Sequence, residues 1–169
     1  MILNRLFKTR KTPQKPLYAA IVAAARQHKF YETMGVADTM EGRLEMLVLH
    51  LFLVLERLKN EDAEELRQNL TDEFFSDMDG TLRELGVSDV TVGKKVRKIA
   101  ESYYGRILAY DKAIKAGGAE LEDALARNVY AEAVSGDFPK VMAAYVRTAV
   151  DMLASLPTQS ILRSELKFP

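Results

Sequence analysis

The string Asp77-Met78-Asp79-Gly80-Thr81-Leu82 carries two aspartates separated by one residue, then glycine and threonine. Side chains in that order can cleave a phosphate ester. The first carboxylate attacks phosphorus, the second serves the leaving oxygen as acid and base, and both help hold Mg²⁺. That chemistry needs its own support: the pair must end a parallel strand, in the crevice where open sheets bind ligands. The preceding residues, Thr71-Asp72-Glu73-Phe74-Phe75-Ser76, do not supply one, because Phe74 continues the four-residue spacing of Leu66 and Leu70.

No later segment reads as a strand offering the paired acids that complete such a metal site, and no alternation of strand and helix exists to build the sheet. A match of this length is a weak signal without its context. A Mg²⁺-dependent phosphatase of the haloacid-dehalogenase type, worked by Asp77 and Asp79, is therefore a remote alternative. No catalytic residue is assigned, and no enzyme is expected. Other chemistries lack material. The chain has no cysteine, which excludes disulfides, thiolate nucleophiles and cysteine-held metals, and it has only two histidines, His28 and His50. Neither a metal nor a cofactor is expected, and no arrangement of haem ligands stands out.

The elements around the aspartates are helical almost throughout. Pro16 suits a first helical turn, with Leu17, Ile21, Val22 and Ala25 as a stripe running towards Phe30. Asp38 with Glu41 three residues on predicts a capped helix to about Asn60. Its stripe is Met40, Leu44, Leu47, Leu51, Leu55 and Leu58, and it is apolar nearly all round, the mark of a central helix. A third helix runs from about Glu61 to Leu85 with Leu66, Leu70, Phe74, Met78, Leu82 and Leu85 inward, ended by Gly86 at the position after the cap. A basic helix follows, striped by Val92, Val96, Ile99, Tyr103, Ile107, Tyr110 and Ile114, and Gly117-Gly118 ends it. A short helix (Leu121, Leu125, Val129) precedes a last one opened by Pro139, striped by Val141, Tyr145, Ala149 and Leu153, and stopped at Pro157. The expected fold class is all-α: a single-domain bundle of about six helices with a central apolar helix, residues 16–169, behind a basic flexible N-terminus, residues 1–15.

At 169 residues one core is the natural solution. Net charge is zero, so no specific nucleic-acid partner is expected, but the charges are segregated. Residues 1–29 hold seven basic side chains and no acid; residues 61–89 hold ten acids; residues 94–115 hold seven basic side chains against Glu101 and Asp111. The longest apolar run, Met46 to Leu55, is half of the roughly 20 residues a membrane span needs. Pro13 and Pro16 interrupt the place of a secretory signal's apolar region. A cytoplasmic protein is expected.

Several stretches together resemble one family. Phe74-Phe75-Ser76-Asp77-Met78-Asp79, Leu82-Arg83-Glu84-Leu85-Gly86-Val87, Asp89, Val92-Gly93-Lys94-Lys95-Val96 and Tyr104-Gly105-Arg106 are similar to the signature of the ubiquinol–cytochrome c chaperones. Arg43-Leu44-Glu45-Met46-Leu47-Val48-Leu49-His50 and Leu17-Tyr18-Ala19-Ala20-Ile21-Val22 resemble its bacterial members. The resemblance implies an assembly factor for the cytochrome bc1 complex that binds newly made cytochrome b. Mitochondrial relatives work with a small partner assembly factor and associate with the ribosome. An adaptor at the membrane surface or ribosome, without a bc1 client, is the alternative.

Where family resemblance and charge contrast coincide, a client surface is expected: Asp79, Arg83, Glu84, Asp89, Lys94, Lys98, Tyr104 and Arg106. The competing reading is internal. Lys94 and Lys95 could pair with Asp79 or Glu84 across the turn, and Gly105, costing about 1 kcal/mol against alanine in a helix, could mark a tight crossing. His50 is expected to be buried and hydrogen-bonded, with Tyr103 and Tyr110 in the core. At the N-terminus, Leu3, Arg5, Leu6, Phe7, Lys8, Arg10 and Lys11 mix apolar and basic side chains as a peripheral membrane contact at the inner face of the cell membrane would.

Overall fold

The computed structural model describes residues 13–131 and 136–169. They form eight helices and no strand: α1 (Gln14–Ala25), α2 (His28–Glu32), α3 (Met40–Arg57), α4 (Glu64–Glu84), α5 (Asp89–Ala116), α6 (Glu120–Asn128), α7 (Phe138–Ser155) and α8 (Thr158–Leu162). Six of these are the expected bundle; α2 and α8, of five residues each, are additions to it.

The central helix is α3. Every residue from Met46 to Leu55 is buried, including His50, because α1, α5 and α7 pack round it. Helix α4 lies on α1 and pairs with α5, while α6 joins α5 to α7. The start of α3 departs from expectation. Its cap is Thr39, whose Oγ1 accepts from the Gly42 amide at 3.1 Å, and Asp38 instead accepts from Arg43 Nε at 2.7 Å. Gly42 permits this turn: a Cβ there would lie 2.0 Å from the Ala37 carbonyl oxygen.

The predicted stripe to Phe30 is two helices. Tyr31 donates to the Ala25 carbonyl at the end of α1, and the break at Arg26–Gln27 swings Phe30 inwards on α2, where it is fully buried. Three apolar assignments fail: Met40, Leu85 and Val141 are exposed. Each lies within a turn of a helix end, where the neighbouring helices no longer cover the stripe.

Pro157 both follows α7 and caps α8. Arg57, at the end of α3, reaches across to the carbonyls that end α7, donating to Leu153 at 3.0 Å and Leu156 at 2.9 Å while pairing with Glu61 at 2.7 Å. The chain beyond α8 returns to the core, where Phe168 lies 4.9 Å from the His50 ring and the Pro169 oxygen accepts from Lys29.

Candidate functional site

Asp77 and Asp79 lie inside α4, on a helix and not at the end of a strand. Asp77 accepts from the Tyr18 hydroxyl at 2.8 Å and so ties α4 to α1. Asp79 is held by Arg83. The pair thus has two structural partners and none of the support the phosphate chemistry requires. Among the described residues no three His, Asp or Glu side chains are grouped to share a metal ion.

Helices α4 and α5 form the antiparallel hairpin that the charge contrast suggested. Its inner end is aromatic: Phe74 stacks on Tyr103 at 5.2 Å, Phe75 meets that ring edge-on at 5.4 Å, and Tyr104 meets it at 5.1 Å. Its outer end is thinly covered, since Met78, Leu82, Val96 and Ile99 are only half-buried. The turn is nevertheless well defined. Gly86, at φ +79°, lets its own amide reach the Arg83 carbonyl at 2.9 Å and the Val87 amide reach Leu82 at 3.0 Å, the paired bonds that close a helix on a left-handed residue.

The eight expected surface residues separate into two sets. Arg83 binds Asp79 at 2.6 Å and also Asp89 across the turn, so these three form an internal bridge between α4 and α5. Arg106 grips Glu45 of α3 with two bonds of 2.5 Å, and both are largely buried. Burial lifts the Glu45 carboxyl above its ordinary range, with the arginine pulling the other way. Arg106 is thus a core fastener and not an outward cation. Glu84, Lys94, Lys98 and Tyr104 are exposed. Among the described residues Lys94, Lys95 and Lys98 have no salt-bridge partner, so the expected pairing with Asp79 or Glu84 does not form: Arg83 already occupies Asp79. Leu3, Arg5, Leu6, Phe7, Lys8, Arg10 and Lys11 lie outside the described residues.

Gly105 is not at a tight crossing. A Cβ there would meet nothing within 4 Å. It lies on the outer face of α5 between Tyr104, 55% exposed, and Leu108, 71% exposed. A shallow groove of about 260 Å³ runs beside them, with Ile107 in its wall and Lys59 and Asp111 at its end.

A second, more apolar groove of about 360 Å³ opens where α1, α3, α4 and α5 meet. Val22, Leu44, Leu47, Met78, Leu82 and Ile99 line it, with Met40 exposed at its mouth and Arg26, Asp38, Arg43 and Asp77 on the rim. The sequence reading placed these apolar residues in the core. The available signal was that Met78 and Leu82 belong to a stripe outlasting the length of α1 that could cover it.

Among the described residues His50 is the one polar side chain classed as buried. Its Nδ1 lies 2.8 Å from the Met46 carbonyl oxygen and its Nε2 2.8 Å from the Tyr145 hydroxyl. A neutral ring that donates to Met46 and accepts from Tyr145 satisfies both, which is a structural role and not that of a ligand.

With this geometry in hand, comparison with known proteins adds three findings. Residues 32–168 match the model of the family described as ubiquinol-cytochrome C chaperone. Among curated proteins, the chain is 24% identical over 151 residues to ubiquinol-cytochrome-c reductase complex assembly factor 1 of Xenopus laevis, covering 86% of this chain and 74% of that one. Among solved structures it is similar to the crystal structure of the Cbp3 homolog from Brucella abortus, with a TM-score of 0.87 and 38% identity, over 100% of this chain and 97% of the other.

Proposed function

The chain belongs to the ubiquinol–cytochrome c chaperone family, and we propose that it serves assembly of the cytochrome bc1 complex by holding newly made cytochrome b. It does so by binding, without catalysis. The relative from Xenopus laevis carries an assembly role in its name, and the aspartate pair that could suggest chemistry is committed to Tyr18 and Arg83.

The observation that carries the binding reading is the outer face of α5. Tyr104 and Leu108 are one helical turn apart on it, both largely exposed, and Gly105 between them has open space above its backbone. A glycine that is not needed for packing within the fold costs about 1 kcal/mol in a helix. Close approach of a client helix to the α5 backbone supplies the reason. Lys94 and Lys98 extend the same face with positive charge towards the hairpin turn.

We place the protein in the cytoplasm, against the inner face of the cell membrane, where its client enters the bilayer. The adaptor alternative separates from this reading by experiment. Deleting the gene should lower cytochrome b and the assembled bc1 complex together; normal amounts of both defeat the proposal. A photo-crosslinking residue at Leu108 should capture cytochrome b, whereas one at Asp151 on α7 should not. Capture of a small partner factor or of ribosomal protein at Leu108, with no cytochrome b, would instead favour the adaptor.

A further inference from the structure

The turn of the α4–α5 hairpin joins two exposed aliphatics, which the client reading does not use, to a cation cluster of which that reading uses only Lys94 and Lys98. Val90 is 83% exposed and Leu85 is 55% exposed, on either side of a turn fixed by Gly86. Single exposed aliphatics are ordinary on a protein surface. Two flanking one well-defined hairpin turn, beside a cluster of cations without acidic partners, are a different matter.

The cations are Lys94, Lys95, Arg97 and Lys98, all exposed. Among the described residues none of the four has a carboxylate within 4.0 Å, whereas Arg83 beside them is engaged by Asp79 and Asp89; what sets them apart is that four such cations fall within five residues of one exposed stretch. The acids of the turn do not neutralise the cluster, since Asp79 and Asp89 are engaged by Arg83 and only Glu84 is left. Helical side chains lean towards the N-terminus of their helix, so Lys94 and Lys95 lean towards Val90 and the turn. Val90, Lys94 and Arg97 share one face by their spacing.

We propose that the end of this hairpin docks on an anionic lipid bilayer, Leu85 and Val90 entering the interface and Lys94, Lys95, Arg97 and Lys98 contacting the headgroup phosphates. Apolar tips that penetrate about 5–10 Å beside cations at headgroup level are the arrangement that binds bilayers peripherally. A nucleic-acid phosphate chain would satisfy the cations equally, but bases stack on aromatic faces and the two exposed side chains at the turn are aliphatic. The proposal stands on exposure and charge and does not depend on the identity of the client.

The chain has no cysteine, so Val90→Cys gives one labelling site for an environment-sensitive fluorophore in the full-length protein. With vesicles of phosphatidylcholine and phosphatidylglycerol the label should shift to the blue, and with phosphatidylcholine alone it should not. The same label on Asp151→Cys should stay in water. In the unlabelled protein, the pair Leu85→Asp and Val90→Asp, and separately the triple change of Lys94, Lys95 and Lys98 to Glu, should each weaken vesicle binding at least about tenfold while leaving the helical spectrum and melting unchanged. Three outcomes overturn the proposal. The wild type ignores anionic vesicles; the variants bind like wild type, which puts any lipid contact elsewhere, as in residues 1–12; or polyuridylate binds through the lysines while the Asp pair changes nothing.

Discussion

Gly105 and Arg106 are neighbours in one signature triplet, and the structure gives them opposite duties. Arg106 turns inward to Glu45 and Gly105 faces open space. Replacing Arg106 with Met leaves a largely buried carboxylate without its partner, and breaking such a pair costs several kcal/mol when burial is complete. With the partial exposure here the expected loss is about 2 kcal/mol, or roughly 4–8 °C in melting temperature. If Arg106 instead faced the client, the variant would melt like wild type and lose only binding. Gly105→Ala should act the other way. With nothing for the methyl to strike, it should stabilise the free protein by about 1 kcal/mol in thermal unfolding, while lowering the yield of cytochrome b crosslinked at Leu108. A variant that stabilises without touching crosslinking removes the argument for close approach. The sequence could single out both residues but not separate them. Outward and inward positions of a long helix are set by what packs beside each turn, and the partner of Arg106 is 61 residues away.

At the scale of elements, the periodicity of apolar residues located the six helices of the expected bundle because each turns an apolar stripe towards its neighbours. It also located Gly86, since only a left-handed residue closes α4 with those two bonds. The errors gather where stripe and cover part company. Met40, Leu85 and Val141 fit their stripes, yet no neighbouring helix extends far enough to bury them. The cap of α3 was misplaced by one residue because Asp38 and Thr39 are both good caps, and the Asp38–Arg43 pair decided between them. The two short helices carry too few residues to show a period at all. The candidate surface was legible in the same uneven way. Lys94, Lys98 and Tyr104 were found as exposed residues, but the apolar groove between α1 and α4 was hidden because half-buried and buried residues look alike in sequence. The two turn glycines should differ in severity. Gly86→Ala should cost about 1 kcal/mol from backbone conformation alone, having no neighbour within 4 Å. Gly42→Ala must displace the backbone at Ala37 and should cost clearly more, as read from urea midpoints of the two variants.

For the whole molecule, the His50 cluster joins the distant parts of the chain. The ring links α3 to α7 through Tyr145, Phe30 of α2 stacks edge-on at 5.3 Å, and Phe168 of the C-terminal segment covers it at 4.9 Å. Lys29 lies 5.0 Å over the Tyr145 ring and is the charged neighbour that acts on the imidazole. Burial, reinforced by Lys29, pushes the His50 pKa from 6.5 down to about 4. The consequence for stability has a definite sign. Below pH 6.5 the unfolded chain binds a proton at this histidine that the native ring refuses until pH falls to about 4. Stability is therefore lost progressively as pH drops through that window and is constant above it. The expected loss between pH 7 and pH 5 is about 2 kcal/mol from this residue. His50→Gln keeps an amide that can donate to Met46 and accept from Tyr145 but has no proton to gain, so its urea midpoint should fall much less over the same interval. Other titrating groups act equally on both proteins, so the difference between the two pH profiles isolates the histidine. Parallel profiles would mean that His50 is protonated as readily in the native core as in the unfolded chain. In that case the Tyr145 hydroxyl would have to turn and accept from the ring, undoing the donation on which the neutral cluster depends.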